Sequence, residues 1–300
     1  MKLHDLHVLM TVAQAGSMNK AATLLNTTQP AVSRSIAELE HTLGVRLLDR
    51  YQHGVAPTAY GRALLDRCAT AFDELRQGVK NIEHLADPTA GEVRIGATAA
   101  LDAGFVPAVV DRLSRRHPRI IFHVVGEDSE ALHRELHERN LDFLIVRKSP
   151  AADDERLNFE TLFSDTYVVA AGLQHPSSRR RRITLAELAD ECWAMPLPGS
   201  TAASIAREAF RASGVDFPRA PVFARPEARM NLVTTGRFLS IFSELRLFLT
   251  QSPMKVLPVE LPTAPVPSGI VTLKNRTLSP VAQLFIDAAR QIAKPLAKKI

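Results

Sequence analysis

The side chains of this 300-residue chain that could do chemistry fall into two groups, and spacing favours only one of them. His133 and His137 stand at i and i+4, as a zinc pair does. Arg134 occupies the place where H-E-x-x-H needs its general base, so the pair reads as a solvated helix face and no metal site is expected. Ser17-Met18-Asn19-Lys20 spells the S-x-x-K of an acylating serine without its K-T-G partner, and Ser17 reads instead as a helix N-cap. Gly96-Ala97-Thr98-Ala99-Ala100 lacks the later glycines of a dinucleotide loop, and neither a P-loop nor G-x-S-x-G occurs. The expectation is a non-enzyme without a cofactor. The second group is Gln29, Ser33 and Arg34. Gln pairs with adenine, Arg with guanine O6 and N7, and Ser with several base edges, each good bidentate pair giving about 1–3 kcal/mol of discrimination.

That chemistry requires the three residues at one exposed helix end. Leu6, Leu9, Val12 and Ala13 repeat at helical spacing up to Gly16, and a short second helix follows from Met18 to Leu25. Asn26-Thr27-Thr28 is the turn. Thr28 caps a third helix that carries Pro30 in its first turn and stops at Gly44, with Ala31, Val32, Ile36, Leu39 and Leu43 as the packed side. This is a helix-turn-helix whose third helix presents its N-terminal end to a major groove. Residues 45–58 then read as a two-stranded wing with its tip near His53-Gly54, which sets Arg50 and His53 beside the phosphates.

Ala21-Ala22, Gln29-Pro30-Ala31-Val32-Ser33, Ile36, Leu39-Glu40, Leu43-Gly44, Leu47-Leu48, Arg50, Pro57-Thr58 and Gly61 occur in that order over the first 60 or so residues. The set resembles the winged helix-turn-helix of the LysR-type transcriptional regulators. It departs from it at Asp49, where Phe is commoner, and at Tyr60. The resulting DNA-binding set is Thr28, Gln29, Pro30, Ser33, Arg34, Arg50, His53 and Thr58.

Thr58 also opens a helix to Ala86, on which Leu65, Cys68, Phe72, Leu75, Val79, Ile82 and Ala86 recur in steps of three and four. Such a heptad seam predicts pairing with a second copy, and the alternative is packing on the chain's own core. A dimer suits a two-fold operator.

From residue 91 the texture becomes alternating strands and helices. Strands at 92–97, 120–125 and 143–146 with helices at 105–116 and 130–138 read as a parallel α/β lobe. A second lobe reads from about Phe163, with strands at 167–171, 222–224 and 239–242 and helices at 204–212 and 227–235. After the Pro-rich stretch 261–267, a strand at 270–273 and a helix at 280–293 return to the first lobe. The fold class is α/β overall: a winged helix-turn-helix over 1–58, a linker helix over 59–90 and a sensor over 91–300. Within the sensor, lobe I covers about 91–162 and 268–300, and lobe II about 163–267.

The two-lobed half resembles the periplasmic-binding-protein-like effector domain of the same family. That resemblance implies effector contacts at Thr98, Ala99, Ser129, Ser200 and Thr201, with Arg147 at a strand edge. Each hydroxyl also has an ordinary reading as an N-cap. Together, hydroxyl-bearing helix starts suit a small anionic effector such as a carboxylate. The resemblance further implies double-stranded DNA, a dimer that pairs into a tetramer, and RNA polymerase as partners.

Composition neither carries nor contradicts this. Hydrophobic residues make up 46% and charged ones 23%, ordinary for a globular chain, while the +5 net charge suggests a polyanionic partner. That charge is not in the reading head: residues 1–90 hold nine basic and nine acidic residues, and 91–300 hold 28 and 23. The N-terminus lacks the apolar stretch of a secretory signal, and no run approaches the roughly 18 apolar residues of a membrane span. The expectation is a cytoplasmic protein without a membrane partner, with Cys68 and Cys192 as free thiols. Two rivals stay open: a solute-binding protein, which would need export, and an enzyme with an accessory DNA-binding domain, which would need a catalytic set after residue 91. Arg179-Arg180-Arg181-Arg182 reads as an exposed loop, with an accessory DNA or subunit contact as the alternative.

Overall fold

Capping residues mark out the first three helices. A computed structural model of the chain describes residues 1–51, 54–148, 154–250 and 253–297. It divides into two compact units, Met1–Val79 and Lys80–Ile300. In the first unit, α1 (Leu3–Ala15), α2 (Met18–Leu24) and α3 (Gln29–Leu43) pack Leu9, Val12, Ala21, Val32, Ile36 and Leu39 into one core. Ser17 and Thr28 are N-caps, accepting from the Lys20 and Ala31 backbone N–H groups, and Gly44 closes α3 in the left-handed conformation. Ala31 and Leu43, placed on the packed side from sequence, are exposed, because the buried stripe of α3 is only as wide as Val32, Ile36 and Leu39.

β1 (Leu48–Tyr51) and β2 (Gly54–Pro57) form the antiparallel wing, and α4 (Ala59–Ala86) follows. The Glu40 carboxylate on α3 accepts the Leu47 and Leu48 N–H groups, tying the wing to the helix. Gly61 is required at the root of α4, since a Cβ there would stand 2.0 Å from the Leu47 carbonyl oxygen.

The second unit has two sheets. The first, in order β4-β3-β5-β12-β6, contains β3 (Ala90–Ala97), β4 (Arg119–Gly126), β5 (Phe143–Arg147), β6 (Leu157–Asp165) and β12 (Val266–Leu273). Helices α6 (Phe105–Ser114) and α11 (Pro280–Leu296) pack Phe105, Val109, Phe285 and Ala289 into one core, and α7 (Ser129–His137) builds another around Leu132 and Leu136. β3, β4 and β5 pair in parallel, while β12, inserted between β5 and β6, runs antiparallel to both, so the all-parallel lobe expected from sequence is corrected to a mixed one with β12 reversed. Phe163, the expected start of the second lobe, belongs to β6 in this first sheet.

The second sheet, in order β11-β7-β10-β8-β9, contains β7 (Tyr167–Gly172), β8 (Cys192–Pro196), β9 (Val222–Ala224), β10 (Phe238–Ser243) and β11 (Met254–Val256). Helix α8 (Thr201–Ala212) packs Ala206 and Phe210 with Trp193, and α9 (Pro226–Thr234) packs Val233 with Phe242. Two short helices, α5 (Ala99–Asp102) and α10 (Glu244–Thr250), stand where strands β3 and β10 end.

Candidate DNA-reading face and effector cleft

The N-terminal end of α3 is bare. Thr28, Gln29, Pro30 and Arg34 are exposed and Ser33 is half-buried, so the side chains selected for base chemistry share one open helix end. Arg50 of β1 reaches back to this end, its Nη2 donating to Ser33 Oγ at 3.4 Å. Wing cation and helix hydroxyl thus lie side by side. Thr58 is committed to the fold: its hydroxyl donates to the Arg46 carbonyl at 2.8 Å and accepts from Gly61 N–H at 3.0 Å. His53 lies outside the described residues.

In the second unit, the carboxyl ends of two sets of parallel strands meet. β3, β4 and β5 end along one edge of the first sheet, and β8, β9 and β10 along one edge of the second. Arg246 of α10 joins these edges, donating from Nη1 to the Ala99 carbonyl at 2.6 Å and from Nη2 to Glu227 at 2.9 Å. Ligands of open α/β sheets sit beyond such edges. Thr98, beside β5 through its N–H bond to the Ile145 carbonyl, keeps a buried hydroxyl without a partner and does not cap α5 through its side chain. Ser200 caps α8, accepting from Ala203 N–H at 3.2 Å, and Thr201 beside it is exposed.

Two residues expected at the effector are engaged within the protein. Asp128, not Ser129, caps α7, accepting from Ala131 N–H at 2.9 Å; its carboxylate occupies the helix terminus that an anion would use. Ser129 turns inward, its hydroxyl 3.4 Å from His133 Nδ1. Arg147 is buried and donates to Asp165 at 2.5 Å, with its guanidinium 5.0 Å from the centre of the Tyr167 ring. Burial opposes its charge, but Tyr167 and Asp165 outweigh that and raise its pKa, so the cation is already spent within the protein.

Residues 3–62 match the family model described as bacterial regulatory helix-turn-helix protein, lysR family, and residues 86–294 match the LysR substrate binding domain. The chain belongs to the LysR family. It is similar to the HTH-type transcriptional regulator GbpR of Azospirillum brasilense, with 28% identity over 294 residues, 97% of this chain and 86% of that protein. Full-length CbnR complexed with its target DNA has the same fold, with TM-score 0.64, 19% identity and coverage of 97% of this chain and 99% of that one. So has the effector-binding domain of QuiR in complex with shikimate, with TM-score 0.57, 21% identity and coverage of 69% and 98%. This LysR-family chain is a DNA-binding transcriptional regulator with an effector-binding domain.

Several residues of this LysR-family sensor escaped the sequence reading. Asp165, at the end of β6, accepts from Arg147, from the Ser243 hydroxyl at 2.6 Å and from Leu245 N–H at 3.3 Å, so one buried carboxylate binds three strand and helix ends together. Arg229 donates to Ser240 Oγ and the Ile241 carbonyl, both at 2.9 Å; burial, with Arg246 nearby, lowers its pKa to about 10. Asp102 on α5 has its carboxyl pKa raised by burial and by the facing Glu227. Of these only β6 had a visible signal, the alternation of Leu157, Phe159, Thr161 and Phe163.

The seam of the linker helix divides. Cys68 is fully buried in the first unit's own core, with Leu65 and Phe72 packed on its edge, so the self-packing alternative holds for this half and Cys68 is corrected from a pairing residue to a core residue. Leu75, Val79 and Ile82 are 55%, 54% and 68% exposed, far more than apolar side chains of a packed stripe. The expected histidine face is corrected as well: His133 is buried with Nδ1 2.6 Å from the Ser129 carbonyl oxygen, and His137 Nε2 lies 3.3 Å from Asp154. Among the described residues, no group of three or more His, Cys, Asp or Glu could hold a metal ion, and no helix is long and apolar enough to cross a membrane.

Proposed function

We propose that this regulator binds inverted half-sites as a dimer, reading bases with Gln29, Ser33 and Arg34 and gripping phosphates with Thr28, Arg50 and His53. Pro30 shapes the helix start, and Thr58 acts indirectly by holding the wing. The observation that carries the reading is the convergence of Arg34, Ser33 and Arg50 at one bare helix end. Pairing runs along Leu75, Val79 and Ile82, whose exposed apolar surface a second copy would cover. Dimers pair into tetramers and RNA polymerase is the downstream partner, as in the family. The working segments are 1–58, 59–90 and 91–300.

The effector binds between the carboxyl edges of the two sheets, at Thr98, Ala99, Ser200 and Thr201. The unpartnered Thr98 hydroxyl supports this, as does the QuiR–shikimate complex among similar folds. Because Arg147 is neutralised by Asp165 while Asp102 and Glu227 stand at the cleft, we propose a small acid that also carries a hydroxyl or ammonium group. Its carboxylate faces the first-turn N–H groups of α8, and its donor faces the carboxylates. Genome-wide mapping of DNA bound by the full chain tests the regulator, with a shared inverted repeat as the expected result. Calorimetry of the full chain against hydroxy acids, amino acids and neutral sugars tests the ligand class: heat with neutral sugars alone would overturn it.

A further inference from the structure

The basic run Arg179-Arg180-Arg181-Arg182 follows the end of β7 in the second lobe and has no part in the cleft or in the reading head. It is not a loose, solvated tail. A single 3₁₀ turn, Pro176–Arg179, leads into it, with Ser177 and Ser178 buried, Ser178 Oγ donating to the Leu173 carbonyl and Ser177 N–H donating to His175 Nδ1. Ile183 and Leu185 enter the lobe's core immediately afterwards. Four exposed guanidinium groups are therefore mounted between two buried anchors.

Only one of the four is compensated by an acid among the described residues: Arg180 pairs with Glu187, while Arg179, Arg181 and Arg182 point to solvent without an ion pair. Two further exposed cations stand near the end of β7, from which the run departs, as does the acid Glu191, 3.8 Å from His175 Nε2. Gly236 packs against Gln174, which brings exposed Arg237 alongside, and Lys255 lies opposite Ala171 on the edge strand β11. Like charges held this close repel one another, a cost that falls when a polyanion releases its counterions on binding. No large apolar side chain of residues 176–182 is present to make a peptide pocket, and planar guanidinium forks match phosphate oxygens.

We propose that this corner of lobe II is a second DNA contact, gripping the phosphate backbone of duplex outside the half-sites that α3 reads. It also accounts for the location of the net charge: the reading head is formally neutral and the excess lies in the sensor. The contact is blind to sequence and adds affinity by extending the footprint.

The test uses the full chain, a site recovered by the mapping experiment, and two duplexes: the site alone and the site with about 40 bp of mixed-sequence flank on each side. Arg179→Gln/Arg181→Gln/Arg182→Gln should bind the short duplex as the wild type does and lose about tenfold or more on the long one. Its log K against log salt slope on the long duplex should flatten by about 2 to 3, from roughly 0.9 per lost phosphate contact. The control Arg116→Gln/Arg134→Gln/Arg219→Gln removes the same charge from other exposed positions and should change neither duplex. An unchanged slope on the long duplex overturns the proposal, as does an equal loss in both triple variants, which would mean net charge and not this corner. Failure of the wild type to bind the short duplex would instead count against the half-site reading by α3.

Discussion

The arginines of the reading head and those of the lobe junction have opposite uses. At the head, Arg34 is exposed and Arg50 makes one long contact, to Ser33. At the junction, Arg147, Arg229 and Arg246 are buried, and each is bonded to its own protein: Arg147 to Asp165, Arg229 to Ser240 and Ile241, Arg246 to Ala99 and Glu227. A cation reserved for a partner must stay hydrated and unpaired until the partner arrives. A cation buried in the fold must be paired from the start, because an uncompensated charge in the interior costs several kcal/mol.

Breaking the junction should therefore show in stability, and breaking the head in binding. The largest effect is expected for Asp165→Asn, which leaves Arg147 buried against a neutral amide. Denaturant unfolding should register a loss of about 3–5 kcal/mol. Arg34→Ala comes next, with about 1–3 kcal/mol lost on the cognate site at one base position and an unchanged unfolding midpoint. Measured by fluorescence anisotropy, an equal loss on random duplex would place Arg34 among phosphate contacts and blur the distinction. Thr28→Ala removes the hydroxyl that accepts Ala31 N–H and should cost about 1 kcal/mol in stability of the first unit, weakening DNA binding through the helix end it holds and through the phosphate contact proposed for it.

The smallest effect concerns pH. The Thr184 N–H, Arg180 and the Thr184 hydroxyl hold the Glu187 carboxyl at about 2, below its ordinary 4.5. The unfolded chain binds more protons between those values, so this group's stabilisation is complete above about pH 4.5 and disappears as pH falls towards 2. Glu187→Gln should flatten the acid limb of a thermal-melt series slightly, the slightness following from the exposure of this ion pair. A steep change would mean that exposed and buried arginine pairs carry similar weight.

Legibility in sequence follows the same division. The head's elements are bounded by local chemistry: Ser17 and Thr28 as caps, Gly16 and Gly44 as stops, Pro30 in a first turn, and apolar spacing between them. All act over a few residues, so all can be read along the chain. The seam of α4 shows where this ends. Its steps of three and four predict an apolar stripe, yet spacing alone does not say whether Cys68 meets its own domain or a copy, and the fold buries Cys68 while leaving Val79 open. At α7, Ser129 and Asp128 are both plausible caps by type; backbone geometry chose Asp128.

What the sequence determined by itself was the family, the helix-turn-helix, the open N-terminal end of α3 and the two-lobed α/β class, because periodicity, capping and motif order are short-range properties. The tertiary structure alone decided that β12 runs antiparallel to both of its neighbours, β5 and β6, and that Arg147 belongs to Asp165. It also decided that Arg246 spans from Glu227 to Ala99. Those partners lie 18, 19 and 147 residues apart in the chain. No local pattern encodes a pairing that exists only once separate strands and helices have packed and excluded the water that would otherwise solvate each charge separately.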